Sequence, residues 1–294
     1  MLFRSQKVEG RLHGKYTSWY GNGIKKSEGQ FDNNNRTGIW SVWDSLGNLS
    51  VKRNYENNYV YQTLFSKAAD DETIKLLNQP RYIPTYNSQG FYDRFNLDIK
   101  MIVLSSSHYR LILPEDNPIL FKNNNLLNLI DKHVSNGNLP IYDGEYLIIP
   151  ANLKNISKHK LIGFKLKEQY IYDSERNIGE MLIVSLCPIM IDFETKDTLD
   201  KYWLYFKELN PFLAQFDISE HKLPYQVKTM SDLFFYRYFY GMIVDKRDYY
   251  DKTIANMWTN PNLKKESDVF ENEYIEIEHD LWISLAEELA KKNK

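Results

Sequence analysis

Six histidines, one cysteine and one crowd of carboxylates are the groups in this 294-residue sequence that could hold a metal or move a proton. His13, His108, His133, His159, His221 and His279 are scattered, and none has the HExxH or other spacing that brings two rings onto one ion. His279, in EIEHDLW, is flanked by Glu278 and Asp280. Successive residues of a helix point about 100° apart, so these three cannot converge, and a capping or interface role is expected. Asp192, Glu194, Asp197 and Asp200 crowd together in IDFETKDTLD without the mid-loop glycine of a calcium loop. Asp197 or Thr198 is expected instead to cap a following helix, whose N-terminus favours negative charge. Serines adjoin His108 in SSSHYR at 105–110, but neighbours in a strand face opposite sides, and no G-x-S-x-G elbow accompanies them. GNG at 21–23 lies inside a hairpin pattern, and neither GxxxxGK nor GxGxxG occurs. Cys187 sits in the apolar run MLIVSLCPIMID, where an inert buried thiol is expected. A single cysteine forms neither an internal disulfide nor a CxxC site. These residues point to a non-catalytic chain, with no cofactor and no metal.

The composition fits that direction. A formal net charge of -2 supplies no field for capturing nucleic acid. The 22 Tyr, 15 Phe and 6 Trp combine large contact area with polar handles, which suits sheets and wide protein interfaces. No apolar stretch reaches the ~20 residues a helix needs to cross a bilayer. The opening MLFRSQKVEG has no signal-peptide core or cleavage site, as in a cytoplasmic chain or one whose signal has been removed.

What positions these residues begins with a repeat. A shift of 24 residues lays Gly14 on Gly38, Trp19 on Trp43, Gly23 on Gly47 and Phe31 on Tyr55. Each unit alternates like a strand, turns at GNG or LGN, and returns as a second strand, which makes a β-hairpin. Trp19 and Trp43 are expected to stack on one sheet face. Residues 59–81 read as a linker with helical spacing through Leu64, Ala68, Ile74 and Leu77, and a second domain is expected over 82–294.

Within that domain, NNNLLNLIDKHVSNG predicts a helix with Leu126, Leu127, Ile130 and Val134 on one face and Gly137 as its stop. HKLIGFKLKEQYIYD alternates, with Ile162, Phe164 and Leu166 on one side. It turns at SERNIGE into MLIVSLCPIMID, which is apolar on both faces and so central in its sheet. TLDKYWLYFKEL predicts a helix ending before Pro211, and SDLFFYRYFYGMIVD a buried helix capped by Ser231. YIEIEHDLWISLAEELAKK places Tyr274, Ile277, Leu281, Leu285 and Leu289 along one stripe. The fold class is α+β: an N-terminal β-hairpin repeat sheet over 1–58, then a mixed α+β domain.

The repeat resembles the bacterial MORN pattern G-x-W-x-x-W/Y-x-x-x-G. That resemblance implies a binding or scaffolding surface. The second domain resembles the GldN/PorN family of type IX secretion and gliding motility, most clearly after residue 169. Trp203, Tyr205 and Phe206 match one element of the family pattern. Phe235, Arg237, Phe239, Ile243, Lys246, Tyr250 and Asp251 match the next. Glu266, Ser267, Glu278, His279, Asp280, Leu281 and Trp282 match the closing motif. Two stretches depart from the pattern, IVLSSSHYRLILPEDNPILF near the start and KELNPFL after the hairpin. The resemblance implies a periplasmic structural protein on the inner side of the outer membrane, assembled in a ring. Its implied partners are a GldK/PorK-like lipoprotein and a GldM/PorM-like motor shaft subunit. The alternative is a cytoplasmic MORN-repeat binding protein similar to YwqK-like antitoxins.

Overall fold

The computed structural model describes residues 2–8, 11–32, 35–56, 61–67, 69–78, 102–152, 159–173, 178–221, 223, 227–247, 252–254, 257–271 and, beyond these, 273, 274, 277 and 281. Six antiparallel strands form the first sheet in simple sequence order. They are β1 (Leu2–Val8), β2 (Arg11–Trp19), β3 (Lys25–Asp32), β4 (Asn35–Trp43), β5 (Leu49–Tyr55) and β6 (Tyr61–Ser66).

The expected repeat is visible in the backbone. Gly14 pairs with Phe31 and Gly38 with Tyr55, and a bulge precedes Trp19 in one unit and Trp43 in the other. Both turns close the same way. Gly23 N–H donates to Tyr20 O and Gly47 N–H to Asp44 O, each at 3.0 Å. The backbone at Gly23 and Gly47 has φ of 84° and 87°, a left-handed conformation that L side chains resist.

The tryptophan expectation needs correction. Trp19 and Trp43 are half-buried, each beneath a cation: Arg4 lies 5.9 Å from the Trp19 ring and Lys25 5.1 Å from the Trp43 ring. The ladder that fills the sheet's core runs instead through Tyr16, Phe31, Trp40, Tyr55 and Tyr61, with successive ring centroids 4.9–6.3 Å apart. Trp40 is 2% exposed because Gly29, opposite it, has no Cβ to keep the indole off the backbone.

The linker expectation is also revised. Residues 61–66 form β6 and pair with β5, so the first sheet extends past residue 58. Among the described residues there, α1 (Asp71–Asn78) is the helical part.

The second sheet is antiparallel and contains β7 (Ile102–Ile112), β8 (His159–Asp173), β9 (Ile178–Asp192), β10 (Thr198–Asp200), β11 (Leu204–Tyr205), β12 (Met242–Arg247) and β13 (Lys252–Thr253). Their order is β10-β9-β8-β7-β12-β13, with β11 also on β9. β9 has partners on both sides and buries both faces, as its unbroken apolar run requires. On one face, Phe164, Leu166, Leu186 and Met190 pack with α3 (Asn125–Ser135), α4 (Phe206–Leu213) and α5 (Met230–Phe235). The short helix α2 (Pro118–Phe121) adds Leu120. On the other face, Tyr109, Cys187, Trp203 and Val244 meet Leu263, Phe270 and Tyr274 of a closing segment that is helical over 263–271.

α3 forms as expected, with its four apolar residues buried and Gly137 N–H bonded to Val134 O at 3.0 Å. Three elements differ. A bulge between Leu161 and Gly163 moves Ile162 to the face opposite Phe164 and Leu166. Thr198 opens strand β10 instead of capping a helix, and α4 starts only at Phe206 and carries Pro211 inside it. The long helix expected from Ser231 stops after six residues, because Arg237 takes φ of 55°, and the chain resumes as strand β12. Its cap is Thr229, in a reciprocal box with Asp232, while Ser231 Oγ reaches Asn210 Oδ1 at 2.7 Å. Residues 174–177 of the expected turn, the boundary near residue 82 and the stripe residues Leu285 and Leu289 lie outside the described residues, while 178–180 of that turn open β9.

Candidate functional site

β7 and β8 bring His108 opposite Glu168, a pairing across 60 residues that local spacing cannot show. Both side chains are completely buried. Glu168 Oε2 accepts from His108 Nε2 and from Arg110 Nε, each at 2.7 Å, and its Oε1 accepts from Arg237 Nη1 at 2.5 Å. Arg237 Nη2 also donates to Met181 O at 2.9 Å. The left-handed turn at Arg237 thus ends α5 at the point where its guanidinium reaches the middle of the sheet.

Burial alone would raise the Glu168 carboxyl, but the two guanidiniums and the histidine bond outweigh it and hold the group well below the usual carboxylate range. Burial lowers the His108 imidazole, against the pull of Glu168. A neutral ring donates from Nε2 to Glu168 and leaves Nδ1 to accept from Tyr274 Oη at 3.2 Å. Ser106 Oγ lies 3.1 Å from the same hydroxyl.

The closing segment is fastened by this cluster and its rim. Arg110 also pairs with Glu271, and Lys246 Nζ meets Glu273 Oε2 at 2.8 Å while lying 4.7 Å from the Tyr274 ring. The chain Ser106–Tyr274–His108–Glu168 has the order of a proton relay. With the imidazole and carboxylate sealed from solvent, its chemistry is cohesion: it holds α5, β7, β8 and the closing segment in one register. Local spacing marks neither Glu168 nor Tyr274 as a site residue, because cross-strand register identifies the first and the packing of the closing segment on β7 the second.

A second feature lies at Trp203. This residue is buried, exchanges backbone hydrogen bonds with Tyr142 at 2.9 Å, and floors a cleft of about 400 Å³. Tyr109 stands edge-on to its ring, with centroids 6.2 Å apart, and Lys165 lies 5.7 Å from the indole. Tyr109 Oη donates to Glu145, which pins the neighbouring 143–150 turn. Asp143 N–H to Ile149 O and Leu147 N–H to Gly144 O close that turn at 2.9 and 3.1 Å. The turn presents three large apolar side chains to solvent: Tyr146 is 69% exposed, Ile148 78% and Ile149 64%. Such a fixed apolar projection suits protein recognition, since little conformational freedom remains to be lost on binding.

The other expected residues divide clearly. Phe206 opens α4 and packs on Phe234 at 5.5 Å, as does Phe239 at 5.3 Å, so both act inside the fold. Tyr205 is half-buried at the end of β11. Tyr250, Asp251, Glu278, His279, Asp280 and Trp282 lie outside the described residues.

His13 meets Asp32 at 3.3 Å, His159 meets Asp192 at 3.4 Å and the His133 ring rests on Phe212 at 4.0 Å. Asp192 closes its own turn by accepting from Glu194 and Thr195 N–H at 2.6 and 3.0 Å. Among the described residues no three His, Cys, Asp or Glu side chains are grouped as metal ligands. Cys187 is buried, and that burial pushes its thiol well up, so the nucleophilic thiolate is suppressed.

A family model described as "Gliding motility associated protein GldN" matches residues 110–283. No curated protein matches the chain.

Proposed function

From the premise that this chain belongs to the GldN family, a component of the gliding-motility and type IX secretion machinery, we propose that it serves there as a non-enzymatic scaffold. It acts in the periplasm, on the inner side of the outer membrane, within a ring. There it joins a GldK/PorK-like lipoprotein and contacts a GldM/PorM-like motor shaft subunit. The N-terminal hairpin sheet, read as a MORN module, adds a second binding surface.

The observation that carries this reading is the rigid turn with Tyr146, Ile148 and Ile149 in solvent beside the Trp203 cleft. Rigid apolar side chains next to a cleft are the arrangement from which binding hot spots are built. The Tyr109 hydroxyl, bonded to Glu145, tethers that turn to the sheet.

Affinity capture from the native envelope fraction tests the proposal. Tagged wild-type protein is expected to recover a lipoprotein and a shaft subunit. A Tyr146→Ser, Ile148→Ser, Ile149→Ser variant with unchanged melting is expected to lose at least one of them. Recovery of a small cytoplasmic toxin instead would favour the antitoxin reading and overturn this one.

A further inference from the structure

An edge strand normally leaves a row of main-chain donors and acceptors facing outward, where another strand can add. β6 is such an edge. Its sequence, YQTLFS, contains no charged residue to discourage pairing. The register with β5 passes from Thr63 to Phe65 and skips Leu64, so a bulge disrupts the far half of the strand. The regular stretch left to accept a partner is Tyr61–Thr63, which ends at Thr63.

That position is occupied from within the chain. Asn78, the last residue of α1, accepts from Thr63 N–H through Oδ1 and donates to Thr63 O through Nδ2, each at 2.6 Å. Both bonds come from one side-chain amide, which reproduces the donor and acceptor that a neighbouring strand would offer. Thr63 is 1% exposed although it lies on an edge, while Leu64 is 43% and Phe65 38% exposed.

We infer that Asn78 terminates the hairpin array: its amide takes the place of a seventh strand and prevents β6 of a second copy of this chain from pairing there. The helix α1 is then an internal stop on a surface that would otherwise join two sheets into one. This inference concerns the N-terminal sheet alone and is independent of the partners proposed for the second domain.

The test uses the full chain with Asn78→Ala, checked for unchanged circular dichroism. Amide hydrogen exchange at Thr63, measured at a concentration where the variant is monomeric, is expected to accelerate at least tenfold. Sedimentation at rising concentration is expected to show a dimer that wild type lacks under the same conditions. Adding Leu64→Lys, a charge on the exposed edge, is expected to abolish that dimer. Unchanged Thr63 exchange would overturn the inference, and so would the absence of any new dimer. A dimer that persists with Leu64→Lys would place the contact elsewhere and also overturn it.

Discussion

Arg237 Nη1 lies 2.5 Å from Glu168 Oε1, so a residue in a left-handed turn neutralises a carboxylate in the centre of a seven-stranded sheet. Glu168 in turn holds Arg110 and His108, and through them the closing segment. Removing its charge takes a carboxylate from two buried guanidiniums, Arg110 and Arg237. Glu168→Gln is expected to cost about 3–5 kcal/mol of stability, read by urea unfolding. Arg237→Lys, which keeps the charge but loses the planar fork, should cost less.

The same cluster sets an acid sensitivity. The folded His108 imidazole and Glu168 carboxyl both titrate below their ordinary ranges. The unfolded chain therefore binds protons first, and the stability these groups contribute is fully present above about pH 6.5 and declines as pH falls. Chemical denaturation at stepped pH should show that decline setting in around pH 6.5. His108→Gln should flatten its upper part while leaving the more acidic part due to Glu168.

In the N-terminal sheet, the two kinds of tryptophan should separate cleanly. Trp40→Ala empties the centre of the aromatic ladder and is expected to cost ~3–5 kcal/mol, whereas half-buried Trp19 and Trp43 should each cost ~1–2 kcal/mol when changed to Ala. Equal losses in thermal unfolding would contradict the ladder as described.

Gly29→Ala places a methyl carbon 2.1 Å from Trp40 Cδ2, so the ring must move. A loss of about 2–3 kcal/mol is expected. The double variant Gly29→Ala, Trp40→Ala should lose clearly less than the sum of the singles, because without the indole the methyl has room.

Asp44 anchors the second hairpin turn. It accepts from Leu46 and Asn48 N–H at 3.0 and 2.8 Å and pairs with Lys67 at 3.0 Å. Burial opposes its ionisation, yet these bonds bring it down to about 2. Its contribution is therefore present above about pH 4 and is lost as pH falls toward 2. About 1–2 kcal/mol should disappear over that window. Tryptophan fluorescence against pH should show a shallower acid transition for Asp44→Asn.

The repeat, α3, and the hairpin of β8 and β9 were legible in the sequence because each depends on local periodicity and turn chemistry. The apolar spacing of TLDKYWLYFKEL allows a helix. Residues Thr198–Asp200 and Leu204–Tyr205 instead lie on the edge of β9, where ladder hydrogen bonds outweigh helical preference. The continuous aromatics after Ser231 suit one helix, whereas the contacts of Arg237 with Glu168 and Met181 O favour a turn there. The site followed the same division. Arg237 and Trp203 were found through the family pattern, while the residues they meet, Glu168 and Tyr142, lie far away in sequence and carry no local signature.

The two hairpins share turn, glycine and ring positions at a constant offset, so each unit carries its own means of closure. Excising one unit between equivalent glycines would bring Gly38 into the place of Gly14. The breadth of that surface is therefore a tunable dimension. Tandem duplication in the gene can widen it by whole increments, and deletion can narrow it.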